Sequence, residues 1–272
     1  MIIFPKAKIN IGLRILRKRP DGFHDIETIF YPINLADALE FTELDEEVPK
    51  DLLTVTGIET GCQPDDNLVI AAVRKLRERF DFPFLKIHLH KAIPSGAGLG
   101  GGSSDAAFLL KGVDRHYNLQ AGAIFIKDLA LQLGSDCPFF IDAIPSHATG
   151  RGEQLNPVSS MLSGLYLVLL NPRVGINTGE AYRNCTPVEP SDSLLQHYNR
   201  PVEEWKDRIL NDFEGYAIKT HPVIGEIKSR LYDTGALYSS MSGSGSSVFG
   251  IFRTRPELPL EIKDYVICQG PL

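Results

Sequence analysis

Cysteine is scarce in this sequence. Its four residues, Cys62, Cys137, Cys185 and Cys268, stand too far apart to form a Cys-x-x-Cys pair, which argues against a zinc ribbon and favours reduced thiols over a disulfide framework. A basic excess is also missing. The formal net charge is −6, which argues against a nucleic-acid partner or an anionic membrane surface and leaves room for a local basic pocket. There is no apolar run of about 18 residues, so no membrane span is expected. The opening Met1-Ile-Ile-Phe-Pro-Lys6 carries no signal-peptide pattern and reads as the entry to a strand, so a cytoplasmic location is expected. His88, His90, His116, His147, His197 and His221 show no metal-ligand spacing, and no protein-bound metal site is expected. Internal repeats and long low-complexity segments are absent as well. What is there is a chain of 272 residues, 43% hydrophobic, enough for one large domain or two modest ones.

One stretch stands out: Pro94, Ser95, Gly96, Ala97, Gly98, Leu99, Gly100, Gly101, Gly102, Ser103 and Ser104. Before it, Leu85, Ile87 and Leu89 alternate with Lys86, His88 and His90, the pattern of a half-buried strand. After it, Ser103 and Ser104 are N-cap residue types and good helix formers follow to Asp114. Strand, glycine loop and helix N-terminus together form a phosphate cradle, because bare N–H groups converge on the anion and the helix dipole favours it. Gly96, Gly98 and Gly101 fit G-x-G-x-x-G, but a dinucleotide site needs a second parallel strand after the helix, and residues 123–133 read as another helix. Gly96 and Gly101 also have P-loop spacing, but Gly102 stands where that loop needs lysine. The plain alternative is a glycine-rich hairpin or linker, which rarely starts at a strand end and runs straight into a helix.

Along the rest of the chain, Ala7, Ile9, Ile11 and Leu13 take one face of a strand, and Lys8, Asn10 and Gly12 the other, which reads as an exposed face. Pro20-Asp-Gly22 is a turn, followed by Phe23 and His24, a pair suited to holding a ring or to ordinary packing. Strand-like stretches follow at 26–31, 38–41 and 52–58, with a charged loop at 45–50. Asp65 to Phe80 reads as an amphipathic helix. A helix ends at Gly134, Asp136 stands at the junction, and Phe139 to Ile141 read as a short strand. A soft boundary near residue 150 divides the chain into 1–150 and 151–272. In the second half, 165–170 reads as a strand, Thr178 as a helix cap, 184–200 as polar loop, and Trp205–Phe213 and Pro222–Tyr232 as helices. A small-residue run, 239–247, enters a strand at Val248. This mixture suggests an α+β layer with helices on one sheet face.

These pieces resemble the GHMP superfamily of small-molecule kinases. Lys6-Ala-Lys8-Ile-Asn10 is similar to an opening strand of that family, and Arg19-Pro-Asp-Gly-Phe-His24 with Thr28 to a substrate loop. Pro94 to Ser104 with Asp105-Ala-Ala resembles its ATP loop. Gly134-Ser-Asp136-Cys-Pro resembles its catalytic aspartate motif, and Met241-Ser-Gly243-Ser244-Gly245 its third motif. The resemblance implies two domains, an N-terminal α/β domain like domain 2 of ribosomal protein S5, with a left-handed crossover, and a ferredoxin-like C-terminal α+β domain. It implies phosphoryl transfer from ATP to a hydroxyl of a cytidine-diphosphate-linked methylerythritol, a step of non-mevalonate isoprenoid synthesis, with Mg²⁺ accompanying ATP. By position, Asp136 is the general base and Lys8 its charged partner. Residues 94–104 bind ATP, with Ser103 or Ser104 reaching the phosphates or the magnesium. Asn10, Phe23, His24, Thr178, Gly243, Ser244 and Gly245 line the substrate side. The family often has tyrosine where this chain has Phe23, so stacking survives and a phenol hydrogen bond is lost. Other readings are another GHMP kinase, acting on homoserine, mevalonate or a sugar, and a nucleotide-binding module without catalysis. Small molecules, not nucleic acid or membrane, are the expected partners, and a monomer or weak homodimer is expected.

Overall fold

A computed structural model describes residues 1–44 and 50–272; the loop expected at 45–50 lies, except for Lys50, outside the described residues. In chain order the strands and helices are β1 (Ile2–Ile3), β2 (Lys6–Lys18), β3 (His24–Ala36), β4 (Ala38–Glu43), β5 (Leu52–Gly57), α1 (Leu68–Arg77), β6 (Leu85–Lys91), α2 (Gly101–Tyr117), α3 (Ala123–Leu133), α4 (Cys137–Asp142), β7 (Ser146–Thr149), β8 (Gln154–Pro157), β9 (Tyr166–Leu170), α5 (Thr178–Arg183), α6 (Leu194–Tyr198), α7 (Glu214–Thr220), α8 (Pro222–Asp233), β10 (Tyr238–Met241), β11 (Val248–Phe252), α9 (Leu260–Lys263) and β12 (Val266–Pro271). They form two compact units that interleave along the chain. Unit one comprises residues 1–7, 35–95 and 100–144; unit two comprises 8–34, 96–99 and 145–272. Gly150, the boundary expected from the sequence, lies between the paired strands β7 and β8, both in unit two. A change in composition marks a turn there, because strand pairing joins residues distant in sequence.

In unit one the strand order is β1-β4-β6-β5, with β5 and β6 parallel and the other neighbours antiparallel. Leu85, Ile87 and Leu89 of β6 are fully buried, each contributing roughly 1.5–3 kcal/mol of apolar transfer. Helix α1 is capped by Asn67, whose side chain accepts from the N–H of Val69 at 3.0 Å. Helix α2 begins at Gly101, two residues before the serines expected to cap it, and Gly100 occupies the cap. The expected strand at Phe139–Ile141 is helix α4. Pro138 sits in its first turn, where a missing N–H costs nothing, and residues Cys137 to Ile141 are buried where α4 packs on α2 and α3.

Unit two holds two sheets, ordered β2-β3-β7-β8 and β10-β11-β9-β12. In the second, every neighbouring pair is antiparallel. Taken in chain order its strands run 4-1-3-2 across the sheet, the ferredoxin-like arrangement. Its core includes Val168, Leu170, Ile224, Ile227, Leu231, Met241, Val248 and Phe252. Lys8 and Asn10 are buried, at 3% and 1% exposure, not on the exposed face the alternation suggests. Gly98, Thr28, Phe30 and Ser242 cover them. The segment at 205–213, expected as a helix, covers β2 further along. There the N–H of Leu13 donates to the carbonyl of Leu210 (2.9 Å) and that of Asp212 to the carbonyl of Leu13 (2.9 Å). Two further readings change. Asn177, not Thr178, caps α5, accepting from the N–H of Glu180 at 3.0 Å. The polar stretch 184–200 contains helix α6, capped by Ser193.

Candidate active site

In unit two, Lys8 points its ammonium at the glycine loop 96–99 of the same unit. Its Nζ donates to Asn10 Oδ1 and to the carbonyl of Gly98 (3.1 Å), and lies 4.9 Å from the centre of the Phe30 ring. Asn10 donates from Nδ2 to Thr28 Oγ1 (3.0 Å) and from its backbone N–H to Ser242 Oγ (3.1 Å). The Ser242 hydroxyl in turn donates to the Gly98 carbonyl at 2.9 Å. Lys8 and Ser242 thus share one carbonyl, and the opening strand, the loop 96–99 and the third motif form one network. Glycine is required where the two loops touch. A Cβ on Gly98 (φ +78°) would stand 1.8 Å from the Ser242 carbonyl oxygen, and one on Gly245 2.0 Å from the Gly98 nitrogen.

Asn211 holds the turn of the third motif, donating from Nδ2 to the carbonyls of Met241 (2.9 Å) and Gly243 (2.8 Å). Thr178 and Ser244 share a hydroxyl hydrogen bond of 2.9 Å. The His24 ring stacks on Tyr182, centroids 4.7 Å apart and planes 18° off parallel. Burial, with Lys18 nearby, lowers the His24 pKa and favours the neutral imidazole. Phe23 leaves 51% of its surface exposed.

In unit one, Pro94 and Ser95 end the run after β6, and Gly100 to Ser104 form the start of α2. The Ser104 hydroxyl is buried and donates to the Lys6 carbonyl at 2.7 Å. Ser103 hydrogen-bonds the Cys137 thiol, whose burial pushes it up to about 11. Asp136, directly before that cysteine, is half-buried. It occupies the cap position of α4, but its side chain makes no capping hydrogen bond. Beneath the same loop lies a buried triad. Lys91 Nζ donates to Asp37 Oδ2 and to Asp105 Oδ2 (2.7 Å), and Asp37 Oδ1 accepts from the N–H groups of Ala92 (2.6 Å) and Ile93 (2.8 Å). Asp105 Oδ1 is buried with no hydrogen-bond partner. Burial, the largest effect, and the nearby Asp37 raise Asp105 to about 7 against the pull of Lys91.

Family profiles match both halves: "GHMP kinases N terminal domain" over residues 67–143 and "GHMP kinases C terminal" over 197–269. The chain belongs to the GHMP kinases. This GHMP kinase is 50% identical to the 4-diphosphocytidyl-2-C-methyl-D-erythritol kinase of Parabacteroides distasonis, over 97% of this chain and 94% of that protein. It is 48% identical to the Bacteroides thetaiotaomicron protein of the same name, over 95% and 94%. Its fold matches a crystal structure of 4-(cytidine 5'-diphospho)-2C-methyl-D-erythritol kinase with a TM-score of 0.78 at 31% identity, covering 92% of this chain and 90% of that one. A GHMP kinase takes ATP as co-substrate, and a small molecule accepts the phosphoryl group.

The sequence alone missed Asn211, Tyr182, Asp37 and Lys91, and it showed Ser242 and Asp105 only as members of the third motif and the ATP loop, with no role of their own. Asn211 lay inside a stretch read as a helix. Asp37 and Lys91 sit at strand ends, where a lone charge reads as a solvated terminus. Their one visible signal is Asp105, the acid that follows the small residues Gly101 to Ser104 at the start of α2.

Proposed function

We propose that this GHMP kinase transfers the γ-phosphoryl group of ATP to the 2-hydroxyl of 4-diphosphocytidyl-2-C-methyl-D-erythritol. The observation that carries the substrate is the His24–Tyr182 stack with the exposed Phe23 beside it. It offers flat apolar surface and a neutral imidazole, which can donate to and accept from a pyrimidine edge. Phe23 and His24 hold the cytosine, while Asn10, Thr178 and the Gly243-Ser244-Gly245 turn position the sugar-alcohol part. Residues 94–104 bind ATP through main-chain N–H groups. Asp136 takes the proton of the attacking hydroxyl, and Lys8 supplies positive charge to the transferring group.

Magnesium carried with the nucleotide would neutralise charge on its phosphates. The described residues hold no cluster of three or more His, Cys, Asp or Glu side chains able to cage an ion. The protein acts in the cytoplasm as a monomer or weak homodimer.

An ADP-release assay against this substrate, mevalonate, homoserine and galactose tests the reading. Turnover is expected with the first alone, and turnover confined to one of the others overturns it.

A further inference from the structure

The hairpin turn between β7 and β8 carries an arginine that the reaction as described leaves unused. We infer that Arg151 is a substrate-binding residue that grips the diphosphate of the nucleotide-linked substrate. This rests on the reading that the substrate carries cytidine diphosphate. The turn is fixed on three sides. The Gly150 carbonyl accepts from the N–H of Ile26 (2.7 Å), the N–H of Gly152 donates to the Thr149 carbonyl (3.1 Å), and the N–H of Arg151 itself donates to the Glu153 carboxylate (2.5 Å). With its main chain so held, Arg151 lays its guanidinium over the Phe23 ring, 4.7 Å from the centroid.

An arginine on a protein surface ordinarily pairs with a carboxylate or extends into water. Among the described residues no hydrogen bond or ion pair engages this guanidinium. The carboxylate of Asp21, in the turn before Phe23, attracts Arg151 without hydrogen-bonding it; it is taken by Arg19, through Nε (3.0 Å) and Nη2 (2.9 Å), and by the N–H of Phe23 (3.2 Å). Five N–H donors in a rigid plane therefore remain, held against the aromatic that adjoins His24 in sequence. A planar fork of this kind matches a phosphate with two parallel hydrogen bonds. The substrate's two phosphates lie one ribose beyond its base, within reach of an arginine side chain placed beside the base. Where Phe23 has no hydroxyl to donate, Arg151 supplies the polar grip through its stack on the same ring.

Calorimetry with cytidine and with CDP, in the presence of a saturating non-hydrolysable ATP analogue, tests the assignment on the wild type, R151M and R151K. R151M should weaken CDP by about 10- to 100-fold, the loss of one or two charge-assisted bonds, and leave cytidine binding unchanged. R151K should recover part of the loss, and KM for the full substrate should rise in R151M by more than kcat falls. Equal weakening of cytidine and CDP, or no change in either, overturns the role of Arg151 alone. Wild-type protein that binds no CDP overturns both this inference and the substrate on which it rests.

Discussion

Single atoms decide the behaviour of the two glycine-containing motifs. Gly98 combines a left-handed backbone with a carbonyl 1.8 Å from where a Cβ would stand, whereas Gly102 meets only Leu68 Cδ1 at 3.9 Å. Left-handed strain and overpacking together predict that G98A loses about 2–5 kcal/mol. G102A should stay within about 1 kcal/mol of the wild type, because alanine favours a helix. Urea unfolding of both variants checks the contrast, and equal midpoints would contradict the close loop contact. At the same scale, a general base contributes to the transfer step far more than to nucleotide binding. D136A should therefore lower kcat by about 10²–10⁴-fold and change ATP affinity by much less. Near-normal turnover in D136A would overturn the proposal that Asp136 is the base.

At the level of elements, β6, the loop and α2 are held together by one lysine and two aspartates whose parts differ. Asp37 anchors main-chain N–H groups and the ammonium at once, so D37N turns an amide toward Lys91 and should cost about 3–5 kcal/mol, the range for breaking a buried pair. Asp105 has one oxygen without a partner and a folded pKa raised to about 7, against an ordinary 3.8. Its protonated form is the one the fold accepts. Its contribution is therefore largest below about pH 4 and is lost as pH rises to about 7. D105N mimics the protonated acid, so its stability at pH 8 should exceed that of the wild type, with the gap closing toward pH 4. Unfolding curves across that range test it, and a constant gap would contradict it. The elements themselves were legible where local signals stand alone, as in β6, α1, α3 and α8. They failed where tertiary packing overrode them. Phe139–Ile141 is apolar enough for a strand and becomes a buried helix, while Trp205–Phe213 has a helical rhythm and is spent covering β2.

Over the whole molecule, the sequence exposed the motifs and concealed the partners that join them. Gly98 and Ser242 are far apart in the chain, and neither announces that they share a hydrogen bond. The same holds for Glu27 of β3, whose Oε1 accepts from His147 (2.9 Å), the Ser193 hydroxyl (2.6 Å) and the N–H of Leu194 (2.9 Å), with Arg14 3.5 Å from Oε2. That buried carboxylate joins β2, β3, β7 and the cap of α6 within unit two. Burial alone pushes its pKa up, but the three hydrogen bonds outweigh it and bring it down to about 2 from 4.5. A carboxylate depressed in the folded state contributes stability above its unfolded pKa and loses it as pH falls through the folded one. The difference of about 2.5 units corresponds to roughly 3 kcal/mol, present at pH 5.5 and nearly gone at pH 2. Glutamine cannot ionise, so E27Q is less stable near neutrality and lacks this acid limb. Between pH 5.5 and 2, wild-type unfolding free energy should therefore fall by about 3 kcal/mol more than that of E27Q. Parallel pH profiles for the two proteins would mean that Glu27 is not the group that ties this unit together.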